Sequence, residues 1–134
     1  MKDIILDTNV LVAGLRSALG TSHRLLTLIG TEQVRLHVST PLIAEYDEIL
    51  QRELPHVASQ EVVNYICQVA TKHKIFYLWR PLLKDPDDDF LLELAVKSQA
   101  TIVTWNIKDF KAANTFGIQV MTPKALLIEL GVTQ

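Results

Sequence analysis

Residues 3–9 read Asp3-Ile4-Ile5-Leu6-Asp7-Thr8-Asn9. Three consecutive apolar residues leave no polar side, so the run suits a strand buried on both faces, as in a parallel sheet. Working outward, strand candidates follow at 34–38, 75–79, 101–104 and 118–121. Helical periodicity fills the intervals at 22–30, 41–54, 59–72, 87–99 and 123–130. Thr40-Pro41, Asp85-Pro86 and Thr122-Pro123 each offer a capping side chain and then a proline suited to the first helical position. Strands alternating with helices predict right-handed crossovers and a mostly parallel α/β sheet.

The 134 residues, 49% of them hydrophobic, suffice for one domain spanning 1–134 with a full core. That composition excludes a disordered chain, a fibrous repeat and a small disulfide scaffold. Thirteen Lys and Arg against fifteen Asp and Glu leave a net charge of -2, which rules out a uniformly basic nucleic-acid coat. It does not rule out nucleic acid, because a carboxylate-rich site itself lowers the total. No apolar run reaches the ~20 residues of a membrane span, and the charged opening segment does not read as a signal peptide. A lone Cys67 cannot form an internal disulfide and points to the reducing cytoplasm. Within the helical pattern it reads as a small core hydrophobe.

In parallel α/β sheets, ligands sit beyond the carboxyl ends of the strands, and the acids gather there. Asp7 ends the first strand. Asn106 and Asp109 follow 101–104, Glu45 lies in the first turns after 34–38, and the Asp85–Asp89 run precedes the 87–99 helix. Helical phase sharpens the choice. Leu42, Glu45, Tyr46 and Ile49 form one stripe at i, i+3, i+4 and i+7, so Glu45 interrupts an apolar face. Asp88 stands in the same relation to Leu91, Leu92 and Ala95, which turns Asp87 and Asp89 away. Asp85 reads as a cap and Asp87 as a first-turn acid favoured by the helix dipole.

Carboxylates crowded at one rim repel unless a cation holds them. Oxygen ligands without Cys or His select Mg²⁺ or Mn²⁺, and His23, His37, His56 and His73 are scattered without metal-ligand spacing. Such an ion activates water and polarises a phosphoryl oxygen, chemistry that suits phosphodiester hydrolysis.

The motifs Leu6-Asp7-Thr8-Asn9-Val10-Leu11-Val12, Leu42-Ile43-Ala44-Glu45-Tyr46, Asp85-Pro86-Asp87-Asp88-Asp89-Phe90-Leu91-Leu92-Glu93-Leu94-Ala95 and Thr104-Trp105-Asn106-Ile107-Lys108-Asp109-Phe110 together resemble a PIN domain. Their order covers essentially the whole chain. It is most similar to the small single-domain toxins of toxin–antitoxin pairs, relatives of the VapC-type ribonucleases. The resemblance implies a three-layer α/β/α fold around a five-stranded, mostly parallel sheet, and a Mg²⁺- or Mn²⁺-dependent endoribonuclease acting on single-stranded RNA. It further implies Asp7, Glu45, Asp88 and Asp109 as catalytic, metal-binding acids, and Asn106 as an auxiliary ligand. Thr8, Asn9 and Thr104 would be orienting partners. Asn106 stands where relatives often carry Asp, so the fourth carboxylate rests on Asp109. A cognate antitoxin and a homodimer are the implied protein partners.

For substrate, Arg16, His23 and Arg24 in or after a 14–20 loop, with Lys84, Lys108 and Lys111 beside the acidic motifs, are the candidate phosphate contacts. Trp105 reads first as packing on a neighbouring helix and second as a stacking surface for a base.

Two rival chemistries fit the residues less well. A magnesium-dependent phosphatase would want an acid two residues after Asp7, where Asn9 stands, and a signalling receiver would want a phosphoacceptor Asp after a middle strand. A catalytically lapsed module that binds RNA or protein would not need to keep four mutually repelling acids.

Overall fold

Five parallel strands in the order β3-β2-β1-β4-β5 form the sheet. The computed structural model describes residues 1–74 and 86–132, with the side chains of 86–88 outside that description. The central strand β1 (Lys2–Leu6) pairs with β2 (Val34–Ser39) on one side and β4 (Thr101–Val103) on the other. Strand β3 (Thr71–His73) extends the sheet beyond β2, and β5 (Val120–Met121) extends it beyond β4. Ile4, Ile5 and Leu6 are at most 1% exposed, so both faces of β1 are covered. Burial of each such side chain contributes about 1.5–3 kcal/mol.

The helices are α1 (Thr8–Arg16), α2 (Thr21–Leu26), α3 (Thr40–Glu53), α4 (Ser59–Val69), α5 (Pro86–Ser98) and α6 (Pro123–Glu129). Strand order reverses at β1, because the chain proceeds to β2 and β3 on one flank and to β4 and β5 on the other. The crevice at such a switch point is where open parallel sheets bind ligands. The residue after β1 is Asp7 and the residue after β4 is Thr104. Asp7 N–H still donates to the Val103 carbonyl at 2.9 Å, which holds these two positions side by side.

Several expectations shift. The sequence 8–16 forms α1, where only a turn and a 14–20 loop were expected. Asp7 caps it, its carboxylate accepting from Thr8 N–H at 2.8 Å. Gly14 lets α1 lie against α2, because a Cβ there would collide with the Leu26 side chain and stand 3.1 Å from the Ser22 carbonyl oxygen. The cap of α3 is Ser39, whose hydroxyl accepts from Leu42 N–H at 3.4 Å, so Thr40 is already helical. Thr122 caps α6 as expected, accepting from Ala125 N–H at 3.1 Å. The helix expected at 59–72 stops at Val69, and 71–73 instead forms β3. The strand expected at 75–79, and the cap Asp85, lie outside the described residues.

Cys67 is exposed and not part of the core. Helix α4 buries only Val63 and Ile66, and Cys67 follows Ile66 by one position, past the edge of that face. Asp89, expected to look outward, is only 9% exposed. Leu91, Leu92, Leu94 and Ala95 are all at most 1% exposed, so α5 buries a broad arc and not a narrow stripe. Asp89 lies three residues before Leu92, on that arc. Among the described residues no helix is long and apolar enough to cross a membrane.

Candidate active site

A cavity of about 390 Å³ opens at the switch point. Asp7, Glu45, Asp109 and Asn106 all line it, together with Thr8, Asn9 and Arg16. Four elements therefore deliver these groups: the end of β1, the first turn of α1, the inner face of α3, and the segment after β4. The 3-10 segment Ile107–Phe116 carries Asp109, whose N–H donates to the Asn106 carbonyl at 3.0 Å. A left-handed glycine, Gly117 at φ 70°, closes that segment.

Asp7 is tightly held. Its Oδ1 accepts from Thr8 N–H, while its Oδ2 accepts from the Thr104 hydroxyl at 2.7 Å and from Asn9 Nδ2 at 3.2 Å. Thr104 is fully buried, and its oxygen also accepts from Asn106 N–H at 3.0 Å. Glu45 is tied to the same site from α3. The Thr8 hydroxyl donates to its Oε2 at 2.5 Å, so Thr8 serves both acids, one through its backbone and one through its side chain. Behind them, the fully buried Tyr46 hydroxyl donates to the Leu6 carbonyl at 2.5 Å. Burial, and then the negative charges of Asp7 and Glu45, push the Tyr46 phenol well above its ordinary range. The two carboxylates thus add to an effect that burial alone already produces.

The donor set is all oxygen, which matches a hard divalent cation. Among the described residues no three acids or histidines stand close enough together to hold an ion as they are. Asp88 is on the first turn of α5, and its side chain lies outside the described residues.

The candidate cations are dispersed. Arg16 lines the acid cavity. His23 is half-buried with Nδ1 3.0 Å from the Gly14 carbonyl, bracing α1 against α2. Arg24 lines a separate cavity beside Leu19 and Thr27. Lys108 borders a cavity with Trp105, and Lys111 is exposed on the 3-10 segment. Lys84 lies outside the described residues. Sequence reasoning missed Glu53, which lines the acid cavity with Glu45 and Ile49. Their spacing, i, i+4 and i+8 on one helix, was the available signal. It also missed the pairing of two histidines that stand far apart in the chain, His37 Nδ1 lying 2.9 Å from His73 Nε2.

Fold and cavity together define a parallel α/β domain that gathers acids at the switch point of its sheet. The sequence pattern of the PIN domain matches residues 3–108, and the chain belongs to the PIN domain family. Solved structures share the fold. VapBC2 from Rickettsia felis, bound to a DNA fragment from its promoter, superposes with a TM-score of 0.65 at 16% identity, covering 90% of this chain and 98% of that one. DNA-bound VapBC from Salmonella typhimurium gives 0.64 at 16%, covering 92% and 99%. VapBC-1 from nontypeable Haemophilus influenzae gives 0.62 at 17%, covering 91% and 98%. Among curated proteins no sequence match was found.

Proposed function

We propose that this chain is a Mg²⁺- or Mn²⁺-dependent endoribonuclease that hydrolyses single-stranded RNA, the toxin of a toxin–antitoxin pair. The observation that carries the reading is the convergence of Asp7, Glu45, Asp109 and Asn106 on one cavity at the switch point. Asp7, Glu45, Asp88 and Asp109 would hold the cation, with Asn106 as a neutral fifth donor. A divalent cation bound there would polarise a phosphoryl oxygen and lower the pKa of an attacking water.

The chain's own groups do the positioning. Thr8 N–H, Asn9 and Thr104 fix the Asp7 carboxylate before substrate arrives, so little reorganisation is needed at the moment of reaction. The Thr8 hydroxyl does the same for Glu45. Arg16, on the cavity wall, would receive a backbone phosphate that the acids alone repel.

An antitoxin is the proposed protein partner, supported by neighbours solved as VapBC complexes. A groove of about 320 Å³, lined by Leu11, Leu15, Leu26, Ile29, Val62 and Tyr65, is the surface proposed for it, since an open apolar groove favours a covering chain.

The test is cleavage of labelled single-stranded RNA in Mg²⁺ or Mn²⁺, with chelator and Asp7→Asn as controls. Asn is itself a good cap, so the variant should fold. Metal-dependent cutting that the variant lacks is expected. RNA bound but uncut, with chelator having no effect, would instead favour a lapsed binding module, the reading that Asn106 in place of an acid keeps open.

A further inference from the structure

Trp105 is the second residue after β4, and it is held at both ends. Its indole N–H donates to the Ser22 hydroxyl at 2.9 Å, and Ser22 is only 3% exposed. Its backbone N–H donates to Asn9 Oδ1 at 3.4 Å. Despite these anchors the residue is 41% exposed, and its neighbour Ile107 is 43% exposed. Anchoring satisfies the polar tip of the indole and fixes the ring. What it leaves in solvent is therefore the apolar surface of the ring, which water solvates poorly.

This surface borders a second open cavity of about 580 Å³, lined by Trp105, Asn106, Ile107, Lys108 and Asp109. Asn106 and Asp109 also line the acid cavity, so the two share a wall. We propose that the second cavity is a nucleobase subsite, in which the Trp105 indole stacks one unpaired base of the strand whose neighbouring phosphate enters the acid cavity. Lys108 supplies the cation for the phosphate on the outer side.

Three features favour a base over other occupants. A rigid aromatic platform loses little conformational freedom on binding. A flat π-surface suits a base of any identity, which fits recognition of single strands. A cavity that shares Asn106 and Asp109 with the acid cavity receives what lies next to the reacting group. The subsite rests on the ribonuclease reading above and adds to it a determinant of where the strand sits.

The experiment measures KM and kcat in Mn²⁺ for a short single-stranded RNA and for a series in which one abasic ribose is walked across the cut. Wild-type, Trp105→Leu and Trp105→Phe proteins are compared. In the wild type, one abasic position beside the cut should raise KM about tenfold with little change in kcat, as loss of one stacked base implies. Trp105→Leu should show that raised KM on the intact strand and no further penalty at the abasic position. Trp105→Phe keeps a ring and should keep most of the discrimination. An abasic penalty of wild-type size in Trp105→Leu would overturn the subsite while leaving the ribonuclease standing. Wild-type protein that cuts none of these RNAs would remove the ribonuclease reading, and the subsite with it.

Discussion

The Tyr46 hydroxyl donates to the carbonyl oxygen of Leu6 at 2.5 Å, joining the residue after Glu45 to the residue before Asp7. The two acid-bearing segments are thus tied from the core side, while Thr8 ties Glu45 from the cavity side. The site is therefore an extension of the core: the same tyrosine that fills space under α3 sets the separation of α3 from β1. Tyr46→Phe keeps the ring and removes the donor, leaving the Leu6 carbonyl short of a partner. It should cost about 1–2 kcal/mol in denaturant unfolding and lower cleavage by less than tenfold, since Thr8 still holds Glu45. An unfolding midpoint equal to wild type would show that the bond contributes nothing net.

Thr104 makes fuller use of one hydroxyl. It donates to Asp7 Oδ2 and accepts from Asn106 N–H and, at 3.4 Å, from Asn9 Nδ2, so its one proton and both lone pairs are engaged. Thr104→Val has nearly the same shape and loses all three. We expect a loss of about 2–3 kcal/mol, at the upper end for an unsatisfied buried group, and at least a tenfold fall in cleavage. Thr104→Ser should restore both. Valine with wild-type turnover would show that Asp7 needs no such support.

How far these contacts were legible in the sequence differs from element to element. The Ile4-Ile5-Leu6 run predicts a two-sided strand because burial on both faces leaves a purely apolar signature. Glu45 was legible for a related reason, as an acid interrupting the stripe of Leu42 and Tyr46, both now seen buried. Helix α1 was not, because Thr8, Val10, Val12 and Gly14 are weak helix formers. It forms because Asp7 caps it and because Val10 and Leu11 are buried in the core. Strand β3 was hidden because an exposed edge reading Thr71-Lys72-His73 carries no apolar alternation. The outward orientation expected of Asp89 was misread because α5 is buried over a wide arc, and phase discriminates only when the buried face is narrow.

Cation binding supplies a test that does not depend on the RNA. If Asp7, Glu45 and Asp109 hold an ion in the native state, Mn²⁺ must raise the melting temperature, because the unfolded chain lacks the arrangement. At a hundred times Kd the gain is about 2.7 kcal/mol. Asp7→Asn and Glu45→Gln should each shrink the shift, and chelator should abolish it. A melting temperature unmoved by millimolar Mn²⁺ would count against the acids as ligands, whatever the cleavage assay finds.

A pH dependence should come from the β2–β3 flank of the sheet. His37 Nε2 lies 2.8 Å from Asp3 Oδ1, and its Nδ1 lies 2.9 Å from His73 Nε2. The two contacts place His37 between the Asp3 carboxylate and the His73 ring. Burial, then His37 and then Lys97, hold the His73 imidazole below its ordinary range. A histidine lowered in the native state takes up its proton more readily when unfolded. Stability from this group is therefore complete above about pH 6.5, the unperturbed value, and is lost as pH falls through the native pKa. Melting temperatures should decline from pH 7 toward pH 5. His73→Gln keeps an N–H donor for His37 without titrating, and should flatten that decline. An identical slope in the variant would place the pH sensitivity elsewhere.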